Sequence, residues 1–216
     1  EQYSDELMKH NSKINVLMAN ENMKTNFTKN IFNMMRLRDK IPNYQCIGDK
    51  YLKELGIQDL DYNNLSEREL KRINRNIKKN INKKYNFYGY RELTNKLTRL
   101  RGKISEEDFK KQIKKEFDNS FMIIDEVQNL KQTEGLDKEL PKLLLSIFSW
   151  CDNMKLLLLS ATPMYNTADE IIDIINFLLA NDKRPLLQKT DFFVKDKFKE
   201  GNEALFKKKI TGYISF

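Results

Sequence analysis

The sequence predicts an α/β fold built on a parallel β-sheet, and three observations lead to that prediction. A short apolar run at residues 121–124 ends in two adjacent carboxylates, and a second run at residues 155–159 ends in hydroxyl-bearing residues. A helix-length apolar segment, residues 140–151, separates the two runs. Uninterrupted apolar runs of this length are typical of parallel strands, which are buried on both faces of the sheet.

The two carboxylates, Asp125 and Glu126, are the first candidate site. Ligands of open parallel sheets bind at the carboxyl ends of the strands, and consecutive side chains there point in opposite directions. Asp125 could therefore hold Mg²⁺ while Glu126 polarises a water molecule. Many proteins have a buried strand that ends in acids, so for this segment alone a purely structural interpretation stays open.

The second run ends in Ser160-Ala161-Thr162, followed by Pro163, which cannot continue a central strand. Asp-Glu-Val-Gln at 125–128 and Ser-Ala-Thr at 160–162 resemble motifs II and III of superfamily 2 helicases and translocases. The resemblance implies that Asp125 and Glu126 bind the nucleotide with its metal, and that Glu126 and Gln128 are catalytic. It also implies that Ser160, Ala161 and Thr162 relay the nucleotide state to the nucleic-acid side.

Composition argues against a membrane-inserted or secreted protein, since the 216 residues contain no apolar run of 18 and no signal peptide. The chain has two cysteines, Cys46 and Cys151, and one histidine, His10. Their spacing matches no metal-binding or redox motif, so we expect a reducing, intracellular compartment without structural zinc.

Positive charge is concentrated in one part of the chain. Residues 63–118 carry 17 Lys and Arg against 8 Asp and Glu, a net charge of +9, whereas the whole chain carries +8. Within this stretch, residues 63–84 predict a basic helical insertion, which begins at a Ser66–Glu69 capping box. A localised basic surface indicates a nucleic-acid partner, although a solvated helix face remains an equal alternative. The helix could also be an arm packed against a partner, and the sequence does not choose between these. The candidate contacts are Lys71, Arg72, Lys78 and Lys79.

The chain before this stretch predicts a strand at residues 14–19, a loop at 20–24 and a helix at 25–37. Strand, polar loop and helix in this order resemble helicase motif Ia, which touches the nucleic-acid backbone. Asn20, Lys24 and Thr25 are therefore further candidate contacts, with ordinary loop capping as the alternative for each. Downstream, we predict a strand at 85–90, helices at 91–101 and from Ser105, and a helix at 168–179 that begins with a Thr167–Glu170 capping box.

Besides the two motifs, the chain has Pro-Met-Tyr-Asn at 163–166, with the isoleucine-rich helix that follows, and a terminal Gly-Tyr-Ile-Ser at 212–215. On these features the chain resembles the helicase-type ATPases of nucleocytoplasmic large DNA viruses. These are relatives of the poxvirus early transcription factor subunit and nucleoside triphosphatase, close to the Swi/Snf-like translocases. Gln128 stands where these relatives usually have histidine, and it can still hydrogen-bond to the Ser-Ala-Thr motif. The resemblance implies a three-layer RecA-like sheet of the P-loop NTPase class, with ATP and Mg²⁺ as cofactors.

We expect residues 1–216 to be a partial N-terminal RecA-like domain. The phosphate-binding Walker A loop would precede residue 1, and a second RecA-like domain would follow residue 216. The parent would be an ATP-dependent helicase or translocase in viral transcription or genome processing, located in the virion or host cytoplasm. Its partners would be nucleic acid, with DNA favoured over RNA, and viral RNA polymerase or transcription-factor subunits. The alternative is a non-catalytic helicase-like scaffold or nucleic-acid-binding subunit.

Overall fold

The predicted α/β fold with a parallel sheet is confirmed. The computed structural model describes residues 13–31, 66–131, 139–164, 167–194 and 197–214. Four strands form one sheet in the order β2-β1-β3-β4, and every neighbouring pair is parallel. The strands are β1 (Ile14–Met18), β2 (Tyr85–Gly89), β3 (Phe121–Ile124) and β4 (Lys155–Leu158).

Helices connect these strands, as parallel pairing requires. They are α1 (Glu21–Ile31), α2 (Glu67–Lys84), α3 (Tyr90–Arg101), α4 (Glu106–Phe117), a 3₁₀ helix (Val127–Lys131), α5 (Leu140–Trp150) and α6 (Glu170–Asn181). A small C-terminal group follows, with α7 (Lys189–Phe192), the antiparallel pair β5 (Phe193–Val194) and β6 (Lys197–Phe198), and α8 (Glu203–Ile210). None of the helices in these described ranges combines the length and the apolar character needed to cross a lipid bilayer.

Both faces of the sheet are covered, which gives the predicted three layers. Because strand side chains alternate, Leu17 of β1 packs with α3, α4 and α5, whereas Val16 and Met18 pack with α1 and α2. A third cluster joins α6 to the C-terminal group. Helix α6 links two clusters, since Phe177 packs in the first and Ile175 in the third.

Helix α2 begins as its sequence predicts. Ser66 caps the helix, its hydroxyl accepts from the Glu69 amide, and the Glu69 carboxylate accepts from the Ser66 amide. Ile73, Ile77 and Ile81 form a buried stripe against β1 and β2, and the basic faces lie in solvent. Residues 63–65 lie outside the described residues. The described part of the predicted insertion is therefore a covering helix of the sheet, and its status as an insertion stays a prediction.

Two predicted helix starts are wrong. Helix α1 begins at Glu21 rather than at 25, because the Asn20 side chain accepts from the Met23 amide and caps a turn that we assigned to a loop. The predicted part at 32–37 lies outside the described residues. Helix α6 begins at Glu170 rather than at 168, since the Thr167 hydroxyl donates to Asp169 and leaves the helix without a side-chain cap.

The connections place a topological switch point between β1 and β3. After β1 the described helices of the connection, α1 and α2, lie on one face, and β2 pairs on one side of β1. After β3 the chain passes through α5 on the other face and returns as β4 on the opposite side. Ligands of open α/β sheets bind where the connections diverge in this way. The carboxyl end of β3, where Asp125 lies, is at that point.

Candidate functional site

The candidate site is the turn that follows β3, formed by Asp125 and Glu126. The Asp125 amide donates to the Leu17 carbonyl of β1 at 3.0 Å, and the Val127 amide donates to the Leu159 carbonyl beyond β4 at 3.0 Å. The turn is therefore tied to both neighbouring strands. This fixes the two carboxylates at the carboxyl edge of the sheet, where the sequence places them.

Glu126 adopts an unusual backbone conformation, with φ at 55°. A non-glycine residue in the left-handed region costs about 1–3 kcal/mol and persists only where surrounding contacts hold it. Its carbonyl accepts from the Asn129 amide at 2.9 Å, and its carboxylate accepts from the Gln128 side-chain amide. The strained turn directs the Glu126 side chain back along the following 3₁₀ helix.

A continuous chain of hydrogen bonds joins the two sequence motifs. Gln128 donates through Nε2 to Glu126, and its Oε1 accepts from the Ser160 hydroxyl at 2.6 Å. The Ser160 hydroxyl in turn accepts from the Thr162 amide at 3.1 Å. Glutamine at 128 thus makes the contact to the Ser-Ala-Thr motif that we expected it to allow, while Ala161 is exposed. The catalytic and coupling roles of these residues stay predictions.

Two carboxylates side by side repel each other. Partial burial raises the pKa of Asp125 first, and the charge of Glu126 raises it further. A cation near Asp125 would offset both effects, so Asp125 is chemically suited to help hold a metal ion.

The Asp125 carboxylate is compatible with the predicted Mg²⁺. Within the described ranges no three Asp, Glu, Cys or His side chains converge as a set of metal ligands. Mg²⁺ is commonly held by one or two carboxylates together with waters and substrate phosphates. The donors present therefore fit a Mg²⁺ ion that arrives with a nucleotide rather than a resident structural metal.

Sequence reasoning missed Tyr90. Its hydroxyl donates to the carbonyls of Asp125 at 2.7 Å and Glu126 at 3.1 Å. The residue is 3% exposed, and burial, together with the charges of Asp125 and Glu126, raises the pKa of its phenol. The phenol therefore stays protonated and acts as a donor. The available signal is a tyrosine directly after Gly89, at the end of the predicted strand 85–90.

The three motif Ia candidates lie at the same edge, just beyond β1. Asn20 caps α1, which is the alternative that we left open for it. Lys24 is exposed, with its ammonium 5.7 Å from the centre of the Phe87 ring, and Thr25 is exposed as well. Their contact with nucleic acid stays a prediction.

The basic candidates on α2 are exposed, and they lie at two levels. Helix α2 runs directly into β2 and packs back across the sheet, so it is antiparallel to the strands. Its 18 residues span about 27 Å, against about 16 Å for a five-residue strand. Lys71 and Arg72 in its early turns therefore lie towards the carboxyl edge, whereas Lys78 and Lys79 lie level with the sheet.

A cavity of about 180 Å³ adjoins the site without being suited to a nucleotide. It lies between the 3₁₀ helix, α5 and α6, and Gln128 forms part of its wall. Leu130, Leu145 and Phe177 give it an apolar lining, while Glu170 and Asp173 are acidic. A triphosphate would find no cationic partner among these side chains. The cavity is therefore distinct from the predicted nucleotide site.

Comparisons with known proteins find three viral relatives. A protein of Acanthamoeba polyphaga mimivirus named "Putative ATP-dependent RNA helicase" is 25% identical over 240 residues, covering 100% of this chain and 19% of the relative. A second mimivirus protein with the same descriptive name is 29% identical over 181 residues, covering 79% of the chain and 29% of the relative. A "Putative helicase" of Invertebrate iridescent virus 3 is 24% identical over 205 residues, covering 94% of the chain and 17% of the relative.

The chain is thus similar to viral helicase-like proteins and spans less than a third of the length of each of these three relatives. No protein-family model matches it. No solved structure matches it significantly.

Proposed function

We propose that this chain contributes the metal-binding and water-activating part of an ATP-dependent nucleic-acid helicase or translocase. The observation that carries the proposal is the hydrogen-bonded chain from Glu126 through Gln128 to Ser160. It joins the carboxylate pair at the topological switch point to the Ser-Ala-Thr segment at 160–162. The resemblance implies that this segment couples the nucleotide state to the nucleic-acid side. Helicase names among the viral relatives agree with the proposal.

Each residue has a separate task in this proposal. Asp125 would hold a Mg²⁺ ion, and the ion would supply positive charge against the charge that develops on the transferred phosphate. Glu126 accepts a proton from the attacking water. Gln128 is hydrogen-bonded to both Glu126 and Ser160, so a movement of Glu126 would shift Ser160 and Thr162. A change at the nucleotide would in this way alter the segment after β4.

We also propose that the sheet continues beyond β4. The Lys155 amide donates to Ser120, just before β3, and the Leu159 amide donates to Ile124 of β3. Strand amides alternate in direction, so the amides of Leu156 and Leu158 point towards the opposite edge. No strand within the described residues pairs there. Leu157 is 41% exposed and Leu159 39%, which is high for an apolar parallel strand. A preceding segment with the Walker A strand and helix would cover both features.

The 216-residue chain alone is expected to show no ATP hydrolysis above background, with or without nucleic acid. Phosphoryl transfer depends on positioning shared among a P-loop lysine, the metal, a water-orienting residue and an arginine finger. The printed sequence contains no Gly-x-x-x-x-Gly-Lys-Ser/Thr motif. A steady-state phosphate-release assay checks this expectation, and strong turnover stimulated by nucleic acid would mean that the proposed domain boundaries are wrong.

Nucleic acid is the proposed partner of the exposed basic face of α2. The resemblance favoured DNA, whereas two of the relatives carry RNA helicase in their names. We therefore leave the polymer open and test both.

Replacing Lys71, Arg72, Lys78 and Lys79 together by glutamine is expected to weaken binding equally across sequences. Each lost phosphate contact should also flatten the slope of log K against log salt by about 0.7–0.9. The measurement is a fluorescence-anisotropy titration of labelled DNA and RNA at several salt concentrations.

The control removes the same charge elsewhere, by changing four exposed lysines outside α2 to glutamine: Lys103, Lys115, Lys207 and Lys208. This variant should keep the parent slope. If both variants change the slope equally, net charge rather than the α2 face governs binding. An unchanged slope in the α2 variant would favour a solvated face.

We further propose that the parent protein serves viral transcription or genome processing, with viral polymerase or transcription-factor subunits as partners. This rests on the resemblance and on the viral origin of the relatives. The experiment that tests the proposed function is ATP hydrolysis by the full-length parent with DNA, with RNA and without either. Nucleic-acid binding without hydrolysis would favour the scaffold alternative.

A further inference from the structure

We propose that Tyr90 is a positioning residue that holds the Asp125–Glu126 turn, and through it the Glu126 carboxylate, in its working orientation. This inference rests on the proposed function, because it assigns Tyr90 a part in the same hydrolysis. Tyr90 acts through Glu126 and touches no reacting atom.

The Tyr90 phenol reaches the turn from a strand that is not its neighbour. Tyr90 follows β2, and β2 is separated from β3 by β1. Two strand spacings amount to about 10 Å, so the side chain reaches past the end of β1 to the turn after β3. The carbonyls of Asp125 and Glu126 lie beyond the last β3 residue, and the Glu126 carbonyl also accepts from the Asn129 amide at 2.9 Å. The Tyr90 hydroxyl lies 2.7 Å from the Asp125 carbonyl and 3.1 Å from the Glu126 carbonyl, so its single proton is shared, with the shorter bond to Asp125.

The backbone of Glu126 also depends on contacts that hold it. With φ at 55°, Glu126 is in the left-handed region, and surrounding contacts must offset the energetic cost of that conformation. The Asp125 amide is bound to Leu17 of β1, and the Val127 amide is bound to Leu159, just beyond β4. Those bonds hold the ends of the turn, and the Asn129 amide also binds the Glu126 carbonyl. Tyr90 binds the Asp125 carbonyl, which belongs to the peptide between Asp125 and Glu126, at 2.7 Å. Without the phenol, that peptide loses the hydrogen bond to its carbonyl and can rotate more easily.

The phenol of Tyr90 is buried in the core. Tyr90 is 3% exposed and packs in the core with Leu17 and Ile124. Its hydroxyl is therefore held in one place by the core rather than by solvent-exposed contacts. Because the hydroxyl cannot move, the carbonyls that it binds are held in fixed positions.

The test uses Tyr90→Phe in the full-length parent protein, which keeps the ring and removes only the hydroxyl. The matched control is Tyr88→Phe, because the Tyr88 hydroxyl donates to Glu116 of α4 at 2.8 Å instead of to the turn. Both variants lose one partly buried phenol bond from the same stretch of chain.

The first readout is hydrogen exchange of the turn, which needs no enzymatic activity. Amides of Asp125, Val127 and Asn129 are followed in a peptide covering residues 121–131. Tyr90→Phe is expected to speed their exchange about tenfold, as loss of a buried hydrogen bond allows the turn to open. Tyr88→Phe should leave it unchanged. Equal exchange in the two variants would overturn the proposal, whether or not the parent hydrolyses ATP.

The second readout is kinetic. Tyr90→Phe should lower kcat by roughly 10- to 100-fold and leave KM within about twofold, since the defect lies in orientation and not in binding. In the Glu126→Gln background the same change should have no further effect, because the residue that it positions no longer acts as a base. An additive loss in the double variant, or an unchanged kcat in the single variant, would overturn the positioning role. A parent without ATP hydrolysis would refute the proposed function, and the exchange experiment would still decide the structural claim.

Discussion

Replacing Glu126 by glutamine in the full-length parent is expected to slow ATP hydrolysis by about 10²- to 10⁴-fold while ATP binding persists. Glutamine keeps the shape of the side chain, and its carbonyl oxygen can still accept from Gln128. Only the ability to take a proton from water is lost. ATP binding by fluorescence titration and steady-state phosphate release separate the two effects, with circular dichroism to verify folding.

Asp125→Asn is the companion variant and should behave differently. A neutral amide is a poor partner for the waters of a hard cation, so Mg²⁺-dependent nucleotide affinity itself should fall. Glu92→Gln makes the same isosteric change as Glu126→Gln at the carboxyl edge, where Glu92 accepts from the Gly89 amide. It should leave turnover near the parent rate. If folded Glu126→Gln hydrolyses ATP as fast as the parent, the site assignment is wrong and the scaffold alternative becomes the better one.

Replacing Phe148 by alanine is expected to lower the free energy of unfolding of the 216-residue chain by about 3–5 kcal/mol. Phe148 is fully buried, and its ring meets Phe177 edge to face at 5.7 Å, which joins α5 to α6. The substitution removes a ring and leaves a cavity between the two helices. Since small domains are stable by about 5–15 kcal/mol, the loss is a large part of the total.

Urea unfolding measures this loss, with the single tryptophan, Trp150, as the probe. Its indole packs edge to face on Phe109 of α4, 6.1 Å between ring centres, so its fluorescence reports on the same layer. Leu205→Ala on α8 is the control, because Leu205 is exposed and its loss should change stability by no more than about 0.5 kcal/mol. If the two variants are equally stable, α5 and α6 do not pack as described.

Much of the local structure could be predicted because its determinants are close together in the chain. Helix α4 begins after Ser105 and buries Phe109, Ile113 and Phe117, as the cap and spacing predict. The apolar runs that became β3 and β4 also needed no distant information. The predictions failed where two local signals competed. The Thr167 hydroxyl could either cap a helix or bind Asp169, and in the structure it binds Asp169.

The sequence by itself determined the parallel α/β class, the capped basic helix and the positions of the two motifs, because caps and hydrophobic periods act within a few residues. Only the tertiary structure decided that Gln128 meets Ser160, 32 residues away, and that Tyr90 reaches the turn from 35 residues away. Both contacts depend on the strand order β2-β1-β3-β4 and its register. Order and register arise from the packing of all layers together, so no local pattern in a single sequence encodes them.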